Sequence, residues 1–180
     1  MPSAWICPAS LALLAACSSP SAPEIQEAPR TRVAVVISTT TPQVKLGAVP
    51  ELKVILINEG EVPVTLVEAG DGSESGWRTP VIEWQPSVPV SGRCGNVNPL
   101  GPDEVFDLNP GERRRLCAWV GLPYLFTAGR HRVSVTYRND PDLEFSGLVL
   151  GAHDPKAMQR VRSSTPVVAT SNVLEIEVVE

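Results

Sequence analysis

Hydrophobic and polar residues alternate along most of the chain from Thr31 onward, which is the period of a β-strand with one buried face. In residues 131–138 the odd positions hold His, Val, Val and Tyr, whereas the even positions hold Arg, Ser, Thr and Arg. The best helix candidate, residues 155–161, is short. We predict seven strands, each rich in β-branched residues and bounded by Gly, Pro, Asn or Asp, at 32–38, 51–58, 62–68, 81–85, 112–120, 129–138 and 172–179.

Many strands with almost no helical pattern predict an all-β fold, an antiparallel β-sandwich of about seven to nine strands over residues 31–180. The segment 58–61 (NEGE) lies between two predicted strands and predicts a hairpin in which Gly60 takes a positive φ. Residues 86–107 and 139–171 are longer than loops in a compact domain usually are, and such loops are typically functional or disordered. The second of them contains an apolar stretch, 145–150, that favours an extra hairpin or edge strand.

The chain opens with a short apolar run, 11–17 (LALLAAC), that ends in small residues and a cysteine. Such a run is typical of a signal peptide and is too short to span a bilayer. Its last four residues, 14–17, resemble the lipobox of bacterial lipoproteins. The resemblance implies cleavage after Ala16, acylation of the Cys17 thiol, anchoring in a membrane of the cell envelope and, with Ser18 following, sorting to the outer membrane.

Residues 18–30 (SSPSAPEIQEAPR) are rich in Ser, Pro, Ala and Glu, with one large apolar residue. A stretch of this composition cannot bury enough apolar surface to fold, so we expect a semi-extended tether. At roughly 3 Å per residue it could hold a domain about 40 Å from a lipid surface. We therefore divide the chain into a signal peptide (1–16), a lipidated cysteine with its tether (17–30) and a folded domain (31–180).

Cys94 and Cys117 are the cysteines left in the folded domain. In an exported domain such a pair favours a disulfide, which would contribute roughly 3.5 kcal/mol by closing the intervening loop. Two buried thiols are the alternative. A metal site is disfavoured because neither cysteine has a second Cys or a His two to four residues away.

Three segments resemble bacterial immunoglobulin-like domains: 52–63 (LKVILINEGEVP), 108–113 (LNPGER) and 128–137 (AGRHRVSVTY). The resemblance covers residues 31–180 and implies a scaffold rather than an activity, because the same fold carries many unrelated functions. A looser likeness is to the BsuPI-type proteinase-inhibitor sandwich, which shares the turns at 58–66 and 108–112.

Composition and charge exclude some classes of function. The chain is 43% hydrophobic and 19% charged, as globular proteins are. Its 15 Lys and Arg against 20 Asp and Glu disfavour a nucleic-acid partner, which would require clustered basic residues in excess.

The sequence shows no catalytic or cofactor motif: Gly-x-Ser-x-Gly, phosphate-loop and dinucleotide fingerprints are all absent. We interpret His131 as a half-buried strand residue and His153 as a solvated loop residue, although a triad assembled in space stays open. Asp140, Asp142 and Glu144 alternate and are weak candidates for calcium, with a plain turn as the alternative.

Large side chains in or near the long loops are the candidates for a binding surface, because sandwiches bind through loops and edges. They are Trp77, Tyr124, Phe126 and Phe145. The sequence thus predicts a non-enzymatic, lipid-anchored envelope protein without a cofactor, which acts as an interaction or accessory module for a protein partner. A protease inhibitor of the BsuPI-like type is the alternative, and a module that binds a cation or small molecule is a further one.

Overall fold

The computed structural model describes residues 30–48, 50–70, 78, 81–86, 100–116, 127–145 and 147–180. They form twelve strands, one α-helix and one 3-10 turn. The elements are β1 (Val33–Thr39), β2 (Gln43–Lys45), β3 (Leu52–Asn58), β4 (Val64–Val67), β5 (Ile82–Gln85), the 3-10 turn (Pro102–Glu104), β6 (Val105–Leu108), β7 (Arg113–Arg115), β8 (Gly129–Asn139), β9 (Glu144–Phe145), β10 (Leu148–Val149), α1 (Pro155–Arg162), β11 (Val167–Thr170) and β12 (Leu174–Val179).

The first sheet is antiparallel, with the strand order β1-β3-β7. Alternate residues of β3, namely Leu52, Val54 and Leu56, are buried, because the strand lies in the middle of the sheet with one face on the core. The β1–β3 ladder is continuous over seven pairs, from Val33 opposite Asn58 to Thr39 opposite Leu52.

The predicted hairpin at 58–61 is wrong, because β3 pairs with β1 and β7 whereas β4 pairs with β6. Gly60 also lacks a positive φ. A glycine is needed there for a different reason: a Cβ on Gly60 would lie 2.6 Å from the carbonyl oxygen of Arg30 and 2.8 Å from the amide nitrogen of Arg32. The glycine permits a close approach of two backbones rather than a tight turn.

Asn58 stabilises the corner between β3 and β4. Its side chain is fully buried; Nδ2 donates to the carbonyls of Val62 and Leu108, both at 2.8 Å, and Oδ1 accepts from the N–H of Gly60 at 2.9 Å. Its own backbone N–H donates to the carbonyl of Glu112 at 3.1 Å. A buried amide with these partners costs little to desolvate and ties the two turns, 59–63 and 109–112, together.

The second sheet is built on the long strand β8. On one side β5 pairs with residues 134–137, and on the other side β11 and β12 pair with residues 136–139 and 129–133. β11 and β12 therefore behave as a single strand interrupted at 171–173. β2 adds to the edge of β12 in parallel, the one parallel pair among the described strands.

Asn172, in the interruption between β11 and β12, links the second sheet to β1. Its Oδ1 accepts from the N–H of Ile37 at 2.9 Å, and its Nδ2 donates to the carbonyl of Ile37 at 3.1 Å. The side-chain amide therefore takes the place that a residue of a neighbouring strand would occupy. It satisfies both polar groups of a residue whose side chain is in the core.

The two sheets share one hydrophobic core, and the fold is an all-β sandwich, as predicted. The core contains side chains from both layers, among them Val35, Leu56, Val133, Val135 and Ile176. The predicted helix is also confirmed. Asp154 caps it by accepting from two backbone N–H groups of its first turn, and two of its residues, Ala157 and Val161, face the interior.

Each predicted strand overlaps an observed one in the part of the chain that the structure describes, and the extra hairpin expected at 145–150 is present at 144–149 as β9 and β10. Three short strands were not predicted: β2, β6 and β11.

Candidate functional site

Four charged side chains form a connected cluster where β4 ends and β6 begins, and we call it the charged cluster: Glu68, Arg78, Glu104 and Arg114. The β4–β6 ladder places two of them, since the N–H of Glu68 donates to the carbonyl of Glu104 at 2.7 Å, one step beyond the last pair of that ladder. Arg78 joins the same edge, because its N–H donates to the carbonyl of Ala69 at 2.7 Å.

Arg78 is the most deeply buried member, with a side chain only 1% exposed. Its Nη2 lies 3.0 Å from both carboxylate oxygens of Glu104. Its Nη1 donates to the carbonyls of Glu68, at 3.1 Å, and Gly70. A guanidinium removed from water in this way is tolerated because its charge is paired and its N–H groups have acceptors.

Glu104 is held in place by the 3-10 turn that it ends. One of its carboxylate oxygens accepts from the N–H of Gly101 at 2.7 Å, and its own N–H donates back to the carbonyl of Gly101 at 3.1 Å. The same carboxylate therefore caps a turn and neutralises Arg78, which fixes its orientation.

Arg114 pairs with the other carboxylate. Its Nη2 lies 3.4 Å from Glu68, whose side chain is 6% exposed, and its guanidinium carbon lies 3.8 Å from the centre of the Phe106 ring. The neighbours of Arg114 in the Arg113–Arg115 run are exposed, so the three side chains alternate between the two faces of the strand. The guanidinium of Arg114 thus lies over the ring while its charge is balanced by Glu68.

Tyr137 lies beside the cluster and is fully buried. Its hydroxyl donates to the carbonyl of Val67 at 2.7 Å and accepts from the N–H of Val67 at 3.1 Å. Burial, reinforced by the nearby charge of Glu68, raises the pKa of this phenol far above its usual value. Tyr137 therefore stays neutral and joins the C-terminal end of β8 to the end of β4.

The charged cluster holds segments that are distant in the sequence close to one another. Two positive and two negative charges compensate each other, and the acceptors used by Arg78 lie on both sides of residues 71–77. Glu104 belongs to the segment 100–104, which follows residues 87–99. The charged cluster thus joins described residues that flank the segments 71–77 and 87–99 in the sequence.

No protein family, curated protein or solved structure matches this chain.

Most of the predicted site residues lie outside the described residues: Cys17, Trp77, Cys94, Cys117, Tyr124 and Phe126. Acylation and the disulfide accordingly stay predictions. Trp77 directly precedes Arg78 in the sequence, and Arg78 is described and fully buried. Phe145 belongs to β9, where it is opposite Leu148.

The calcium candidates lie at the start of the β9–β10 region. Asp140 forms a turn, because its Oδ1 accepts from the N–H of Asp142 at 3.0 Å. Within the described ranges no three His, Cys, Asp or Glu residues gather closely enough to hold a metal ion. The plain-turn alternative thus has direct support in the hydrogen bonding.

The two histidines lie as expected. His131 is half-buried in β8, with Nε2 2.9 Å from the carbonyl oxygen of Thr127, and His153 is exposed. Among the described residues no helix is both long enough and apolar enough to cross a bilayer.

The charged cluster was not predicted from the sequence. The spacing of Gly101 and Glu104 before an apolar strand resembles a capping pattern and could have indicated the turn. No local pattern distinguishes Arg78 from an exposed arginine, because its burial depends on partners 26 and 10 residues away.

Proposed function

We propose that this protein is a lipid-anchored, non-enzymatic module of the bacterial cell envelope that binds a protein partner through an immunoglobulin-like sandwich. The observation that carries the proposal is the order of segments in the sequence: an apolar leader ending in the lipobox-like residues 14–17, a Pro- and Ser-rich spacer, and a folded domain.

The contacts of residues 30–32 support the boundary between tether and domain. The N–H of Glu61 donates to the carbonyl of Arg30 at 2.9 Å, and the N–H of Glu59 donates to the carbonyl of Arg32 at 2.8 Å. The Arg32 and Glu59 side chains also form an ion pair at 3.1 Å. Folded structure therefore reaches back to Arg30, where the proposed tether ends.

The strand order supports the immunoglobulin-like assignment. β1-β3-β7 in one layer and β5-β8-β12 in the other correspond to the A-B-E and C-F-G orders of that fold. β4 and β6 form a separate pair at the edge of this frame. The fold leaves the choice of function to the connections and edges of the sandwich.

The non-enzymatic part of the proposal rests on what the buried charges do. The carboxylates of Glu68 and Glu104 are each paired with an arginine, and the Tyr137 hydroxyl is bonded to backbone. These groups hold the frame together and are not arranged as a nucleophile with its base. A frame fixed in this way lowers the entropic cost of binding a partner.

Metabolic labelling with an alkyne fatty acid tests the anchor. We expect the parent chain to be labelled and to sediment with membranes, and Cys17→Ala to lose both properties. Cys7→Ala is the matched control, because it removes a cysteine from the predicted signal peptide and should keep the label. Label that persists in Cys17→Ala, or a parent chain without label, would contradict the proposal.

A further inference from the structure

The outward face of the first sheet carries two exposed arginines beside isoleucines. Arg113 and Arg115 of β7 lie opposite Ile57 and Ile55 of β3, and residues opposite each other on paired strands share a face. The two isoleucines are half-buried and neither belong to the hydrophobic core nor pack against it, because the alternate residues of β3 fill that role. We call this surface, centred on these four residues, the arginine face.

The charge of the two arginines is not compensated within the described part of the chain. Neither Arg113 nor Arg115 forms an ion pair or a side-chain hydrogen bond there. The carboxylate of Glu59, at the end of the same face, is already paired with Arg32 at 3.1 Å. Both guanidinium groups therefore keep their N–H donors for a group outside the domain.

A second pair of exposed arginines shows that this arrangement is not general in the molecule. Arg130 and Arg132 have the same spacing on β8, but they lie opposite Glu177 and Glu175 of β12. Unlike charges directly opposite each other attract across a sheet. The arginines of β8 thus face compensating carboxylates, whereas those of the arginine face have aliphatic residues as their cross-strand partners.

The arginine face is positive on a chain that is acidic as a whole. Further along β3 the face ends with Lys53 and, just before the strand, Glu51, which accepts from the Thr40 hydroxyl at 3.2 Å. Together with the Arg32–Glu59 pair at the other end, the face has four basic side chains and two carboxylates, whereas the net charge of the chain is −5. An excess of positive charge beside aliphatic side chains attracts an anionic partner, and it repels a second copy of the same face.

The place where the chain enters the sheet favours a lipid surface over an acidic protein. The proposed tether, 18–30, leads into β1 at the end of the arginine face, where the N–H of Glu59 donates to the carbonyl of Arg32 at 2.8 Å. In extended form the tether reaches about 40 Å, so an acylated Cys17 would hold this face near lipid headgroups at a high effective concentration. Headgroup phosphates accept from guanidinium groups in the bidentate geometry that suits arginine.

We propose that the arginine face binds the phosphate groups of an anionic lipid bilayer and lays the first sheet against the membrane surface. Arg113 and Arg115 donate to headgroup phosphates, and the aliphatic side chains of β3 lie at the level of the headgroups. The other sheet then faces away from the membrane and is left for a protein partner. This inference rests on the anchor in the proposed function and adds the orientation of the anchored domain.

Sedimentation with vesicles tests the face on full-length chain that carries Cys17→Ala and so has no acyl chain. One set of vesicles contains phosphatidylglycerol and phosphatidylcholine, and the other contains phosphatidylcholine alone. The measured quantity is the partition coefficient on the anionic vesicles divided by that on the neutral ones, so that the contribution of the apolar leader cancels. We expect Arg113→Gln/Arg115→Gln to lower this ratio about thirtyfold, the effect of two basic residues at an anionic surface, and Arg113→Lys/Arg115→Lys to keep most of it.

Arg130→Gln/Arg132→Gln is the matched control, because it removes the same two charges from arginines that lie opposite glutamates, and it should change the ratio less than about threefold. Equal ratios in the parent and Arg113→Gln/Arg115→Gln overturn the inference, as do equal losses in the two glutamine variants. A soluble peptide of alternating glutamate and valine that binds through both arginines, while the vesicles do not bind, overturns it in favour of an acidic protein segment. Equal melting temperatures ensure that folded proteins are compared.

The vesicle experiment and the fatty-acid labelling fail independently. A parent chain that is labelled at Cys17 but shows no arginine-dependent preference for anionic vesicles keeps its anchor and loses the proposed orientation. A parent chain without label contradicts the anchor, whereas arginine-dependent binding to vesicles would still support the arginine face as a lipid-binding surface of the domain.

Discussion

Replacing Glu104 by glutamine tests the role of the charged cluster. The substitution keeps the size of the side chain and one acceptor oxygen but removes the negative charge that neutralises Arg78. Arg78 is 1% exposed and Glu104 is 29% exposed. Breaking a buried ion pair by removing one partner costs about 3–5 kcal/mol, because the other charge stays in a poor solvent. The carbonyls of Glu68 and Gly70 still accept from Arg78, so we expect Glu104→Gln to lower the free energy of unfolding by about 2–3 kcal/mol.

The matched control is Glu59→Gln. The Arg32–Glu59 pair has nearly the same separation, 3.1 Å against 3.0 Å, but its side chains are 75% and 39% exposed. Exposed pairs contribute well under about 1 kcal/mol, so this variant should lose less than about 0.5 kcal/mol. Burial, rather than distance, is the variable that differs between the two experiments.

The assay is equilibrium unfolding in urea, monitored by tryptophan fluorescence, on chain that carries Cys17→Ala so that no lipid is attached. A loss of 2–3 kcal/mol corresponds to a melting temperature lower by about 5–10 °C for a domain of this size. The double variant Arg78→Met/Glu104→Gln should lose less free energy of unfolding than the sum of the losses in the two single variants. We expect the difference to be at least about 1 kcal/mol. Equal stabilities of Glu104→Gln and Glu59→Gln would refute the reasoning.

Two further predictions concern the frame. Burial raises the pKa of Tyr137, so above about pH 10 only the unfolded chain loses this proton and the free energy of unfolding falls. Tyr137→Phe should remove about 1.4 kcal/mol per pH unit of that fall, measured by urea unfolding between pH 8 and 11. The same dependence of the free energy of unfolding on pH in the parent chain and the variant would contradict this prediction. Gly60→Ala should cost about 1–3 kcal/mol, because the new Cβ meets the backbone of Arg30, whereas Gly101→Ala, whose Cβ has 3.7 Å to its nearest neighbour, should be close to neutral in the same assay.

The period of two predicted the all-β class and most of the strands, because burial of one face leaves a direct trace in the sequence. β6 was missed because it follows the 3-10 turn directly and lies almost entirely inside the stretch 86–107, which was interpreted as a long loop. β11 was missed because it is the shorter half of a strand interrupted around Asn172 and lies inside the stretch 139–171, which was interpreted as a long loop. The turn at 58–61 was recognised, but the pairing of β3 with β1 and β7 is decided by residues far away in sequence.

The charged cluster shows the limit of local patterns more sharply. Arg78 and Glu104 have no feature in their neighbourhoods that distinguishes them from exposed residues, because their partners come together only when β4 and β6 pair. The β9–β10 pair is the opposite case. Its apolar stretch predicted a hairpin, and the structure adds that both faces of β10 are exposed.

The attachment of residues 30–32 to the 59–61 turn determines how the domain would respond to a mechanical load. A pull applied at residue 30 would first load the contacts between residues 30–32 and the 59–61 turn. It would then load β1. Along the axis of β1 it would act in shear on the whole β1–β3 ladder, so that its paired positions rupture together instead of peeling apart one after another. If the proposed tether transmits a load at residue 30, the first sheet is therefore the element that would bear it.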